Sequence, residues 1–226
     1  AHDRRISVRL SSNLNRFDRR YAAQTVASGL DRLIVSVDGA SQAVYEQYRR
    51  GGNLQRVSEH IRWLVEEKRR QRSATPFILV RMLVTRKNEH EIAAVRQLAR
   101  TLGADGFTIA PILVDTQDPA LAREWLPSES ALSAYDYGAQ QIENTWASDD
   151  LWEAMTINWD GGVSPCCWVH QQRHDLDNVL HKSIAAVWNG PAYLSARRTF
   201  TQQGPLAEDA VTICNRCRGR PLYLHD

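Results

Sequence analysis

The sequence predicts an α/β protein: a parallel sheet built from alternating strands and helices, followed by a small cysteine-bearing α+β domain. Three observations carry this. Short apolar runs alternate with amphipathic segments from Ile6 to Ile112. An apolar hairpin pattern follows from Met155 to Val163 around Asp160-Gly161-Gly162. All four cysteines lie in the last third, adjacent at Cys166 and Cys167 and as Cys-x-x-Cys at Cys214 and Cys217.

Taken in order, Ile6–Leu10 reads as a strand, Asp18–Ser28 as a helix stopped by Gly29, Leu33–Val37 as a strand and Ser41–Tyr48 as a short helix. Asn53 caps a longer helix to about Arg70, with Leu54, Val57, Ile61, Leu64 and Val65 on one face. Phe77–Val84 is the third strand, Glu89–Leu102 a helix stopped by Gly103, and Phe107–Ile112 the fourth strand. Such alternation means βαβ units and a parallel sheet. From Val114 to about Trp146 the chain is a long connection broken by Pro119 and Pro127, and Trp125, Tyr135 and Tyr137 suit it to docking across the strand ends. Beyond the hairpin, Ile184–Phe200 reads as one helix with Ile184, Val187, Trp188 and Tyr193 inward. The division is therefore 1–113, a connection at 114–147, and 148–226.

Composition bounds the function. With 226 residues and 43% hydrophobic content the chain buries one large core or two modest ones. A net charge of +2 argues against a nucleic-acid partner, and the run Lys68-Arg69-Arg70-Gln71-Arg72 ends a helical pattern, where cations favour the helix dipole. No apolar run reaches membrane-spanning length, so no membrane partner is expected. Without a signal-like apolar N-terminus the cysteines are expected in a reducing, cytoplasmic setting, which disfavours disulfides.

Thiolates two residues apart on a turn face one metal centre, and distant thiolates complete a sulfur shell for zinc or an iron–sulfur cluster. All four cysteines are assigned to one site, the hairpin delivering Cys166 to a fixed place. His170, His174 and His225 are the histidines that supply a missing ligand if the metal is zinc, and spacing does not separate zinc from iron–sulfur. At the carboxyl ends of the strands, where α/β chemistry collects, stand Ser11-Ser12-Asn13, Ser36, Asp38-Gly39 and Arg81, with Asn88 beyond. Such residues cap and turn backbones, and together they suit a small-molecule pocket.

Leu30-Asp-Arg-Leu-Ile-Val-Ser-Val-Asp-Gly-Ala40, Tyr45 with Tyr48-Arg49-Arg50-Gly51-Gly52, Asn88-Glu89-His90-Glu91, Trp159-Asp160-Gly161 with Cys166-Cys167, and Trp188-Asn189-Gly190 with Cys-x-x-Cys form a specific combination of motifs, each weak alone. From Ile6 to about Cys217 the chain resembles radical S-adenosylmethionine enzymes with a C-terminal auxiliary-cluster domain of the SPASM or twitch kind. The resemblance implies a partial (βα) barrel with about four parallel strands present, then a SPASM/twitch-like domain binding an auxiliary [4Fe–4S] cluster. It implies S-adenosylmethionine at the strand ends, with Ser12, Asn13, Ser36, Asp38 and Arg49 on the cofactor side and Glu89 on the substrate side. It implies hydrogen abstraction from a peptide or small-molecule substrate through a 5'-deoxyadenosyl radical. The reading from another class is a non-catalytic binding module with structural zinc.

The chain departs from the family pattern twice. It lacks the Cys-x3-Cys-x2-Cys loop that holds the cluster cleaving S-adenosylmethionine, and Ser148 stands where the auxiliary site expects a cysteine, leaving Cys166, Cys214 and Cys217 aligned with Cys167 adjacent. Because the chain starts at Ala1 and at what resembles the third barrel strand, the Ile6–Leu10 edge is expected to pair with upstream residues, a separate chain or a second copy.

Overall fold

The computed structural model describes residues 4–112, 114, 119–133, 135–136, 141–142, 150–166, 169, 171–201, 204 and 206–216. They fall in two compact units, residues 1–143 and 144–226.

The first unit is built on a parallel sheet with strands β1 (Arg9–Ser12), β2 (Arg32–Ser36), β3 (Phe77–Val84) and β4 (Gly106–Pro111), in the spatial order β1-β2-β3-β4. Between them run α1 (Arg19–Ala27), then α2 (Gln42–Tyr48) and α3 (Leu54–Gln71), then α4 (Ile92–Leu102). The alternation of β3 explains the layering: Ile78, Val80, Met82 and Val84 are buried, and their neighbours less so. These side chains, with Leu33, Val35 and Val37, share one core with Ala22, Val57, Ile61, Leu64, Val95 and Ala99 of the helices. Sequential strand order with α1, α3 and α4 contributing to that single core is the arrangement of a barrel segment.

Local chemistry sets the helix limits. The side chain of Asp18 accepts from Tyr21 N at 2.7 Å, that of Ser41 from Val44 N at 3.4 Å and that of Asn53 from Arg56 N at 2.9 Å. Gly103 ends α4 at φ +80°, a conformation that costs other residues.

Three expectations need correction here. The first strand begins at Arg9, three residues later than the apolar pattern suggests. Val8 N instead donates to the Asp31 carboxylate at 2.8 Å, and Ile6 and Leu10 are each 53% exposed, because no described strand covers that edge. The Glu89–Leu102 helix opens with a 3-10 turn at Glu89–Glu91 before α4. The connection after β4 contains α5 (Pro119–Trp125), held by Arg86 N donating to Trp125 O at 3.0 Å and by the Trp125 ring 5.7 Å from that of Tyr48. A two-residue pair, β5 (Tyr135–Asp136) with β6 (Gln141–Ile142), follows.

The second unit has an antiparallel sheet of β7 (Thr156–Ile157), β8 (Gly162–Ser164) and β9 (Asp177–Asn178), preceded by α6 (Asp150–Glu153). Its core joins Leu151, Val163, Leu176, Val187, Tyr193, Ala196 and Cys214. The stretch read as one helix is two, α7 (Ile184–Trp188) and α8 (Pro191–Arg198). Asn189-Gly190 breaks the ladder and Pro191 starts the second helix at a position that needs no N–H. Ile184, in the first turn of α7 after its Ser183 cap, is exposed rather than inward. Trp159 is 93% and Ile157 47% exposed, so of Met155, Ile157 and Trp159, the alternating residues expected inward, only Met155 packs on the core.

Candidate functional site

The hairpin that carries Cys166 is held by its own polar side chains. Asn158 N donates to Gly162 O at 2.8 Å and Gly161 takes φ +80°, closing the loop between β7 and β8. Asp175 Oδ1 accepts from Asn158 Nδ2 at 3.1 Å and from Ser164 Oγ at 3.0 Å, while Asp160 pairs with Gln172 and accepts from Gly162 N at 3.1 Å. Asn178 Nδ2 donates to Asp160 O at 3.0 Å, fixing β9 to the turn. A Cβ at Gly162 would meet Asp175 Oδ2 at 2.0 Å, so a larger residue there must displace the Asp175 carboxylate. Gly162→Ala is therefore expected to destabilise the second unit by about 1–3 kcal/mol, an overpacking cost, read as a lowered urea midpoint; an unchanged midpoint would mean that the carboxylate does not pack on the hairpin.

Cys166, half-buried, follows this hairpin, and Cys214, buried, stands in the 3-10 turn Ile213–Arg216. Asn215, inside the Cys-x-x-Cys, accepts from Thr212 N at 2.7 Å and donates to Thr199 Oγ1 at 3.4 Å, tying the turn to the end of α8. Burial pushes the Tyr193 phenol up to about 12; Arg197 opposes the shift, and Asp150, Cys214 and Cys166 add to it. Tyr193 shares its core with Cys214, and its hydroxyl donates to Ala154 O at 3.2 Å.

Arg197 completes the surround. Its guanidinium lies 4.1 Å from the Trp188 ring and 4.7 Å from the Tyr193 ring, with Nε donating to Leu151 O at 2.7 Å and Nη1 to Trp188 O at 3.0 Å. Nη2 is buried without a hydrogen-bond partner among the described residues. Burial lowers the Arg197 pKa and Tyr193 counters this. The thiols of Cys166 and Cys214 are soft donors of the kind that hold a sulfur-ligated cluster. Cys167, Cys217, Ser148, His170 and His225 lie outside the described residues, which contain no cluster of three metal-ligating side chains. His174 Nε2 accepts from Arg173 Nε at 3.3 Å, which engages the described histidine named for a zinc site.

At the strand ends of the first unit, Asp38 is fully buried. Its Oδ2 accepts from Arg49 Nε at 2.5 Å and its Oδ1 from Leu83 N at 2.7 Å, so both oxygens serve the protein. Burial raises the Asp38 pKa, opposed by Arg49 and by the Leu83 amide. Asn88 locks the same corner, donating to Asp38 O at 3.0 Å and Leu83 O at 2.9 Å. Arg49, held by Asp38 and 5.1 Å from the Tyr48 ring, keeps a partly exposed guanidinium. Ser36 is buried, and Ser12 sits beside Val35 in the sheet register. The side chains of Ser12 and Asn13 accept from Leu14 N at 3.1 Å and Asn15 N at 3.0 Å, shaping the turn after β1. Glu89 accepts from Ser128 N at 2.8 Å and so anchors the connection after α5.

Sequence reasoning missed Asn15, whose Nδ2 reaches Tyr45 Oη at 3.3 Å and whose Oδ1 accepts from Asn53 N at 3.0 Å, and Glu91, which accepts from Ala40 N at 2.6 Å and Ser41 Oγ at 2.8 Å. It also missed Tyr193 with Arg197, whose i, i+4 spacing on a helix was the available signal.

Residues 149–218 match the family model of SPASM, an iron–sulfur cluster-binding domain. The antilisterial bacteriocin subtilosin biosynthesis protein AlbA of Bacillus subtilis (strain 168) is 24% identical over 175 residues, covering 70% of this chain and 37% of AlbA. Streptococcus suis SuiB bound to S-adenosylmethionine shares the fold at TM-score 0.57 and 12% identity, over 88% of this chain and 52% of SuiB. Native anSMEcpe with bound AdoMet does so at TM-score 0.53 and 10% identity, over 84% of this chain and 58% of that one. The fold is that of these structures, a partial barrel followed by a small second domain, and residues 149–218 of the chain are similar to the SPASM cluster-binding domain. It spans well under half the length of AlbA and about half that of SuiB.

Proposed function

We propose that this chain is the part of a radical S-adenosylmethionine enzyme that carries an auxiliary [4Fe–4S] cluster and the far strand ends of the barrel, and that the complete enzyme abstracts hydrogen from a peptide substrate. The observation that carries the reading is the match of residues 149–218 to an iron–sulfur cluster-binding domain, in which Cys214 shares the buried core with Tyr193 and Cys166 follows the β7–β8 hairpin. Cys217, three residues after Cys214, is the third ligand, and with Ser148 where a cysteine is expected the fourth position is left open, Cys167 being the neighbouring thiol. The cluster, when bound, supplies an electron acceptor or a substrate anchor.

The chain's own residues hold and orient. Arg49, oriented by Asp38, offers donors to the carboxylate of an amino-acid-like cofactor, while Ser12, Asn13 and Ser36 offer hydroxyl and amide groups near the same strand ends. Residues 1–113 form the barrel part, 114–147 the connection and 148–226 the auxiliary domain, in a cytoplasmic, reducing setting that keeps the thiols available. The described residues contain no helix long and apolar enough to cross a membrane. Peptide rather than small-molecule chemistry is favoured because AlbA takes part in bacteriocin biosynthesis and SuiB has been solved with the precursor peptide SuiA.

The chain has no Cys-x3-Cys-x2-Cys loop, so the reconstituted 226-residue protein is expected to yield no 5'-deoxyadenosine from S-adenosylmethionine and dithionite beyond a Cys214→Ala, Cys217→Ala control. Product above that control would overturn the division of labour proposed here. Ser148→Cys is expected to slow the loss of iron to a chelator, because an added thiolate closes an open coordination position. No gain, together with full retention in Cys166→Ala, would mean that the ligand set is wrong.

A further inference from the structure

We infer that the free edge of β4 is a docking site for an extended, acidic peptide segment, which adds to the sheet as a further strand. Among the described residues β4 pairs only with β3, and no strand lies on its other side. Ile112 N donates to Val84 O at 3.3 Å, and the parallel register sets Val84 beside Pro111. Backbone groups in a strand alternate sides, so the even-numbered residues face β3 while Phe107 and Ile109 direct N–H and C=O to the open edge. Pro111 agrees with this phase, since it sits where no ladder N–H is needed. An unblunted edge of this kind is a template for strand addition.

Charge selects the partner. A cleft of about 510 Å³ runs along this edge between α4 and β4, lined by Arg96, Arg100, Phe107, Thr108 and Ile109. Both arginines are exposed, Arg96 lies 5.6 Å from the Phe107 ring, and neither forms an ion pair among the described residues. The carboxylate in the cleft, Asp105, is taken up by Lys68 at 2.5 Å and by Ile78 N at 2.7 Å. The cations are four residues apart on a helix, a rise of about 6 Å. Alternate residues on a strand are about 6.7 Å apart, so carboxylates at every second position can meet both guanidiniums while the backbone bonds β4. The wider surface agrees: residues 1–112 hold 20 Lys and Arg against 11 Asp and Glu. The biological partner rests on the peptide-substrate reading above; the docking chemistry does not depend on the cluster.

The test uses the full chain without metal and a fluorescein-labelled peptide alternating glutamate with threonine, followed by anisotropy, with the lysine–threonine peptide and a single-stranded oligonucleotide as comparisons. The glutamate peptide should bind more than about tenfold tighter than the lysine peptide and weaken as salt is added. Arg96→Glu with Arg100→Glu, both on the surface, should cost at least about tenfold. Ile109→Pro should cost a similar factor by removing an edge N–H that no β3 residue uses, and should leave oligonucleotide binding unchanged. No binding, equal binding of the two peptides, or insensitivity to the arginine pair would overturn the inference. Retained peptide binding in Ile109→Pro would reduce it to a general polyanion surface and overturn strand addition. A protein that binds this peptide but takes up no iron would contradict the proposed function alone.

Discussion

Replacing Cys166 and Cys214 together by alanine is expected to abolish cluster assembly, taking iron and sulfide from about four each per chain to background. The two thiols stand on separate elements, one after the β7–β8 hairpin and one in a 3-10 turn, so no local rearrangement of one replaces the other. Tyr193→Phe is the matched control: it keeps the ring against Trp188, centroids 5.0 Å apart, and loses the bond to Ala154 O. It should retain iron. Iron uptake by the double cysteine variant equal to that of the wild type would remove both residues from the site.

Asp38→Ala carries the largest expected effect on stability, about 3–5 kcal/mol, because it strands the partly buried Arg49 guanidinium and the Leu83 N–H at once. The measurement is urea unfolding of the chain with the first unit's Trp63 retained as a probe. Arg49→Ala should cost less than the sum implies when combined with Asp38→Ala, since each single change leaves the other partner uncompensated. Additive costs would mean that the pair is not coupled and that Arg49 is not held in place by Asp38.

The same pair shows where a sequence stops being readable. Asp38 after an apolar strand reads as a ligand contact, yet both of its oxygens are spent inside the protein, and only Arg49 is left facing outward. Residue type and position do not reveal which end of an ion pair is exposed. The sheet itself was legible because β3 alternates cleanly, and the helix starts because Asp18, Ser41 and Asn53 are side chains that cap. The start of β1 was not, since the apolar run Ile6 to Leu10 needs a neighbouring strand to bury it and the described residues provide none. Ile184 was misjudged because the continuous helical pattern hid the break at Asn189-Gly190, although Pro191 marks a new helix start. In the second unit the cysteine pattern singled out the hairpin and the Cys-x-x-Cys turn as the candidate site. The packing around it, by Asp175 on Gly162 and by Arg197 on Tyr193, depends on residues distant in sequence or on burial, which spacing alone does not give.

Mössbauer spectroscopy of the iron-57-reconstituted chain, with parallel zinc analysis, tests the central claim that this domain gathers its cysteines around one iron–sulfur cluster. One [4Fe–4S] cluster per chain, lost in the Cys166, Cys214 double variant, is the predicted result. A colourless protein with stoichiometric zinc and no cluster signal would contradict it.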